Sequence, residues 1–86
     1  MDDMEMRRRR AIYRAQHRGT KELDIVMGRY AAARIADMSP DEMTLFEQFL
    51  ALPEPQLYDW VMKGEPVKDT GMSALVAEVR RLGGFD

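Results

Sequence analysis

The stretch His17-Arg18-Gly19-Thr20-Lys21-Glu22-Leu23-Asp24 brings a guanidinium, a glycine and two carboxylates within eight residues. Arginine and carboxylate side chains form directional, charge-assisted hydrogen bonds, and Gly19 leaves bare backbone between them. A corner of this kind suits docking onto another protein surface. A local role fits the same spacing. With Gly19 as the N-cap of a helix, Glu22 stands at the third helical position and can reach back to the N-cap amide, as in a capping box. The spacing leaves both roles open.

Covalent or acid–base catalysis has little to work with. His17 is the only histidine and the chain has no cysteine, so no nucleophile–base pair of that kind is available. No cluster of His, Asp or Glu carries metal-site spacing, and no glycine-rich loop follows a strand pattern to cradle a phosphate. An 86-residue chain also has little room to enclose a large cofactor. The sequence is therefore read as a non-enzyme, with no catalytic, metal-binding or tightly held cofactor residues.

The elements that position the corner are helical. Arg7-Arg8-Arg9-Arg10 opens a stretch running to about His17, with Ala11, Ile12 and Ala15 on a thin apolar side. Arg7, Arg10, Arg14 and Arg18 recur at helical spacing and are expected on one face. A second helix is expected from Thr20 to about Ala36, with Leu23, Val26, Met27, Tyr30 and Ala33 as its core stripe. Glu22, Ile25 and Arg29 lie along another edge, and Gly28 in mid-helix suggests close packing on the first helix. Ser39-Pro40-Asp41-Glu42 then supplies an N-cap, a proline at the first position and a capping-box glutamate, with Met38 and Met43 as a hydrophobic staple. Leu45, Phe46, Phe49, Leu50 and Leu52 follow, and Pro53 ends this helix.

A short helix from Pro55 to Lys63 carries Leu57, Trp60 and Val61, with Trp60 expected as a core anchor and Gly64 as the stop. The last helix, about Gly71 to Leu82, aligns Met72, Leu75, Val76, Val79 and Leu82. Gly83-Gly84 stops it, and Phe85-Asp86 reads as a frayed tail. Five short helices without a strand pattern predict an all-α compact bundle, with residues 1–86 as a single domain.

The series Tyr13-Arg14, Arg18-Gly19-x-x-Glu22-x-Asp24, Leu45-Phe46-Glu47-x-Phe49-Leu50, then Pro55-x-Leu57-Tyr58-x-Trp60 and Gly64, resembles the SdhE family of FAD assembly factors of succinate dehydrogenase, called succinate dehydrogenase assembly factor 2 in mitochondria. The resemblance covers most of the chain. It implies a chaperone that binds the flavoprotein subunit of succinate dehydrogenase, and often that of fumarate reductase, and promotes covalent attachment of FAD to a histidine of that subunit. FAD is then handled on the partner. The family's functional motif falls on Arg18, Gly19 and Glu22, and Asp24 matches as well. Arg14 and Arg29 complete the expected partner-binding set. Family members usually carry Asp before the proline at 55; here Glu54 stands there, a poorer N-cap.

The net charge of −2 is unevenly spread. Residues 1–34 hold nine Lys/Arg and five Asp/Glu, a balance of +4, and residues 35–86 hold four and ten, a balance of −6. An electrically dipolar monomer is expected. The lack of cysteine fits a reducing compartment, no apolar run approaches the roughly 20 residues of a membrane span, and the acidic start resembles neither a secretory nor a mitochondrial leader. Together these favour the bacterial cytoplasm. Two other classes stay open on the residues alone. One is a helical nucleic-acid-binding module using the four arginines, disfavoured because its later helices are acidic. The other is a general protein-interaction domain.

Overall fold

The computed structural model describes residues 3–85, and within them the chain forms five α-helices and no strand. Helix α1 (Asp3–Gln16) and α2 (Lys21–Arg34) make an antiparallel hairpin, and a 3-10 turn (Ile35–Asp37) leads to α3 (Pro40–Leu50). Helices α4 (Glu54–Val61) and α5 (Thr70–Gly83) complete the bundle. Its radius of gyration is 12.0 Å, against about 12 Å expected for a close-packed chain of this size.

The helix starts follow local chemistry. Helix α1 begins earlier than the arginine run suggested, because Asp3 and Glu5 place negative charge on its first turn, where the helix dipole favours it. Helix α2 is capped by Thr20, not Gly19: the Thr20 hydroxyl accepts the Leu23 N–H at 3.4 Å. A glycine offers no side-chain acceptor, so the helix starts one residue later than expected, Glu22 sits at its second position, and no capping box forms there. The Ser39–Glu42 capping box is present in both directions, and Met38 and Met43 are both buried as the staple requires.

The core is built from Ala11 and Ala15 of α1, Leu23, Val26, Met27, Tyr30 and Ala31 of α2, and Met43, Phe46, Phe49 and Leu50 of α3. Leu57 and Val61 of α4 and Leu75, Val76 and Val79 of α5 close it. On α2, Ala31 takes the core place expected for Ala33, which is exposed. The neighbour at that level is α1, whose Arg8 Nε donates to the Ile35 carbonyl at 3.2 Å. Leu45 and Leu52 lie at the margin of the core.

Trp60 is partly buried and packs against the core without entering it. Helix α4 turns Leu57 and Val61 fully inward, which leaves Trp60 on an open groove with Pro66, Val67, Ala77 and Phe85. Phe85 is no frayed tail. Gly84 adopts φ +113°, a left-handed conformation that costs glycine little. The Phe85 N–H then closes onto the Arg80 carbonyl at 2.8 Å, as in a Schellman motif. The Arg80 guanidinium lies 4.7 Å from the Phe85 ring centre, within cation–π range.

Polar contacts lock three helices together. The Tyr30 hydroxyl and Arg34 Nε both donate to Glu78 Oε1 at 3.1 Å, and Arg34 Nη2 donates to Glu42 Oε2 at 2.9 Å. Burial first, and then the charge of Glu78, pushes the Tyr30 phenol pKa upward. Helices α2 and α5 also meet backbone to side chain where Gly83 lies under Val26.

Candidate docking site

The hairpin turn between α1 and α2 is held by two carboxylates from different directions. From α2, Asp24 accepts the Arg18 backbone N–H. From α4, Glu54 Oε1 accepts the Gly19 N–H at 2.9 Å while its Oε2 lies 3.4 Å from Arg18 Nε. Arg18 Nη1 donates weakly to the Arg14 carbonyl at 3.4 Å. The Arg18 side chain is 12% exposed, and its Nε forms no hydrogen bond of good geometry. Arg14, Arg18, Gly19 and Asp24 are therefore brought together as one unit, with the guanidinium facing largely into the protein.

The outward side of this unit is Gly19 and Glu22. Both are exposed, and Glu22 forms no hydrogen bond or ion pair among the described residues. Gly19 does not have positive φ. What its lack of a side chain provides is space: a Cβ would lie 3.4 Å from Cγ and Cδ of Glu54. Beside the turn, the exposed Tyr13 ring stacks on His17 with centroids 4.0 Å apart, and His17 Nδ1 lies 2.7 Å from the Tyr13 carbonyl. Arg29 is not part of the unit. It shares an edge of α2 with Glu22, but its Nη1 donates to the Gly83 carbonyl at 3.2 Å, satisfying the C-terminal end of α5.

Of the four aligned arginines, two are turned to carboxylates of the protein itself. Arg7 makes a two-point pair with Glu47 of α3, Nη2 to Oε1 at 2.7 Å and Nε to Oε2 at 3.1 Å, and Arg18 turns to Glu54. Two acids of the second half of the chain, Glu47 and Glu54, thus pair with two of the four arginines, while Arg10 and Arg14 form no ion pair among the described residues. Arg7 holds the Glu47 carboxyl below its ordinary range, chiefly through the hydrogen bond. The cationic stripe that a nucleic-acid module would present is thus partly consumed inside the molecule.

Glu54 is the residue that sequence reasoning missed. It is the first residue of α4, with Pro53 at the N-cap, and its carboxylate crosses to the hairpin turn in place of capping its own helix. Its departure from the usual Asp was visible in the sequence; its partners were not.

Geometry alone defines a class: a small helical protein with an exposed turn braced by two carboxylates and, among the described residues, no group of acids or histidines able to hold a metal. A sequence profile of the family described as "Flavinator of succinate dehydrogenase" matches residues 9–82, and the chain belongs to that family. It is 40% identical over 68 residues to the FAD assembly factor SdhE of Acetobacter pasteurianus, covering 79% of this chain and 62% of the relative. The SdhE of Xylella fastidiosa is 35% identical over 65 residues, covering 76% and 67%. The mitochondrial succinate dehydrogenase assembly factor 2 of Yarrowia lipolytica is 27% identical over 67 residues, covering 78% and 46%. The chain thus spans about three-fifths of the Acetobacter relative and under half of the Yarrowia one.

Proposed function

We propose that this chain is an assembly factor that binds the flavoprotein subunit of succinate dehydrogenase and promotes covalent attachment of FAD to it, in the bacterial cytoplasm. The observation that carries this reading is the family match across residues 9–82, which includes the whole exposed turn. The protein acts by differential binding: it favours the partner conformation in which attachment proceeds, supplies no catalytic group and holds no FAD tightly itself. Gly19 and Glu22 meet the partner, Gly19 through close backbone approach and Glu22 by accepting from partner donors. Arg14, Arg18 and Asp24 shape the turn from behind, and Arg29 lies farther along the same edge. The flavoprotein subunit of fumarate reductase is a second candidate partner.

The test is Gly19→Arg, assayed with the apo flavoprotein subunit and FAD by the fluorescence of protein-bound flavin after denaturation. The expected result is loss of flavinylation with the helical circular dichroism retained. Gly19→Ala, whose Cβ would make only ordinary contact with Glu54, is expected to keep activity. Full flavinylation with the Gly19→Arg protein would refute the role given to this turn.

A further inference from the structure

We infer that Glu54 is a positioning residue for partner binding, resting on the docking role proposed above: it fixes the backbone of the turn that the partner reads. Three observations converge on it. Its carboxylate is used at both oxygens, by the Gly19 N–H at 2.9 Å and by Arg18 Nε at 3.4 Å. Both contacts span about 35 positions of sequence, so α4 is tied to the α1–α2 turn by this one side chain. The anchor is firm, since Leu57 and Val61 on the same short helix are fully buried.

The alternatives for this carboxylate are less favourable. The first residue of a helix carries unsatisfied N–H groups that an acid can serve, yet Glu54 spends its oxygens on another element. A charge-assisted bond from a backbone amide fixes direction as well as distance. With Asp24 holding the Arg18 N–H and Glu54 the next N–H, two consecutive amides of the turn are held by carboxylates from two different helices. The exposed edge of Gly19 is then presented in one orientation, so the partner need not order it on binding. Arg18 contributes from within. Its largely buried guanidinium neutralises Glu54 and keeps that carboxylate over the turn.

This assignment separates Glu54 from a merely stabilising ion pair. Removing Glu54 leaves the Arg18 guanidinium, on a side chain only 12% exposed, without its carboxylate, so some stability is lost as well; what distinguishes a positioning role is that partner affinity falls even where the variant is fully folded. Glu54→Ala is expected to weaken binding of the apo flavoprotein subunit about tenfold, measured by surface binding at a temperature where both proteins are fully folded. Glu54→Gln, which keeps an acceptor for the Gly19 N–H but not the charge for Arg18, should fall between. The double variant Arg18→Ala/Glu54→Ala should bind no more weakly than Arg18→Ala alone, as expected for residues acting as one unit. In the free protein, amide exchange at Gly19 should accelerate in Glu54→Ala.

Unchanged affinity in Glu54→Ala, losses that add in the double variant, or tighter binding, which would make Glu54 a competitor of the partner, each overturn the proposal. If the wild-type protein itself fails to bind the flavoprotein subunit, the docking role has failed. Exchange at Gly19 then decides the positioning claim, and an unchanged rate in Glu54→Ala overturns it.

Discussion

Replacing Gly83 by alanine should destabilise the protein even though alanine is the better helix former. A Cβ at Gly83 would stand 2.4 Å from Val26 Cγ1 and 3.1 Å from the Val26 carbonyl oxygen, where carbon atoms normally rest about 3.5–4.0 Å apart. Val26 is only 6% exposed, and a β-branched side chain in a helix has one strongly preferred rotamer. The clash must therefore be relieved by moving α5 off α2, which also strains the Arg29 bond to the Gly83 carbonyl. Overpacking of this kind costs about 1–3 kcal/mol. Alanine's propensity returns at most about 1 kcal/mol, and less in a last turn. The net expectation is a loss of about 1–2 kcal/mol, or roughly 4–16 °C in melting temperature for a domain of this size.

Gly28→Ala is the matched control. Its Cβ would meet only Gln16 Cγ at 3.4 Å, and Gln16 is an exposed side chain that can give way, so a gain of about 0.5–1 kcal/mol is expected. Urea denaturation followed by circular dichroism reads both variants. A Gly83→Ala protein at least as stable as wild type would refute the reasoning.

Trp60→Ala should cost about 3 kcal/mol, the lower end of the range for a large aromatic, because one side of the ring lines an open groove; a loss below about 1 kcal/mol in urea denaturation would show that the ring adds little to the core. Acid should destabilise the protein through Glu42 and Glu47, whose carboxyls are held below the ordinary 4.5, Glu42 chiefly by the Ser39 backbone N–H and Glu47 by Arg7. Groups with a depressed folded-state pKa stabilise fully above 4.5 and lose that contribution as pH falls through the depressed value, so stability should decline below about pH 4.5, and less steeply in Glu47→Gln.

What was legible in the sequence is what depends on near neighbours. Ser39 and Glu42 are three residues apart, so both halves of their capping box are written side by side. The stripe Leu23, Val26, Met27 and Tyr30 needs only the helical period. The Thr20 cap was misread by one residue because glycine and threonine adjoin and the spacing of Glu22 flattered the first of them. The ion pairs Arg7–Glu47 and Arg18–Glu54 join residues about 40 and 36 positions apart, and any of ten acids in the second half of the chain could have met either arginine. Phe85 follows two glycines, which signal an end; that the chain folds back depends on Arg80 offering both a carbonyl and a guanidinium. The turn itself, Arg18-Gly19-x-x-Glu22-x-Asp24, was visible as a motif, but nothing local told which side chains face outward and which brace it.

The internal pairing of Arg7 and Arg18 has a kinetic consequence. Long-range attraction accelerates encounter only when charge projects into solvent, and Arg7 and Arg18 direct much of theirs at Glu47 and Glu54. Steering is then left to the arginines outside these pairs, Arg10 and Arg14 among them, and the encounter rate should rise above the unsteered value of about 10⁵–10⁶ M⁻¹s⁻¹ by less than the arginine count suggests. Time together, set by how slowly the pinned turn lets go, then governs whether a flavoprotein stays engaged long enough for its flavin bond to form.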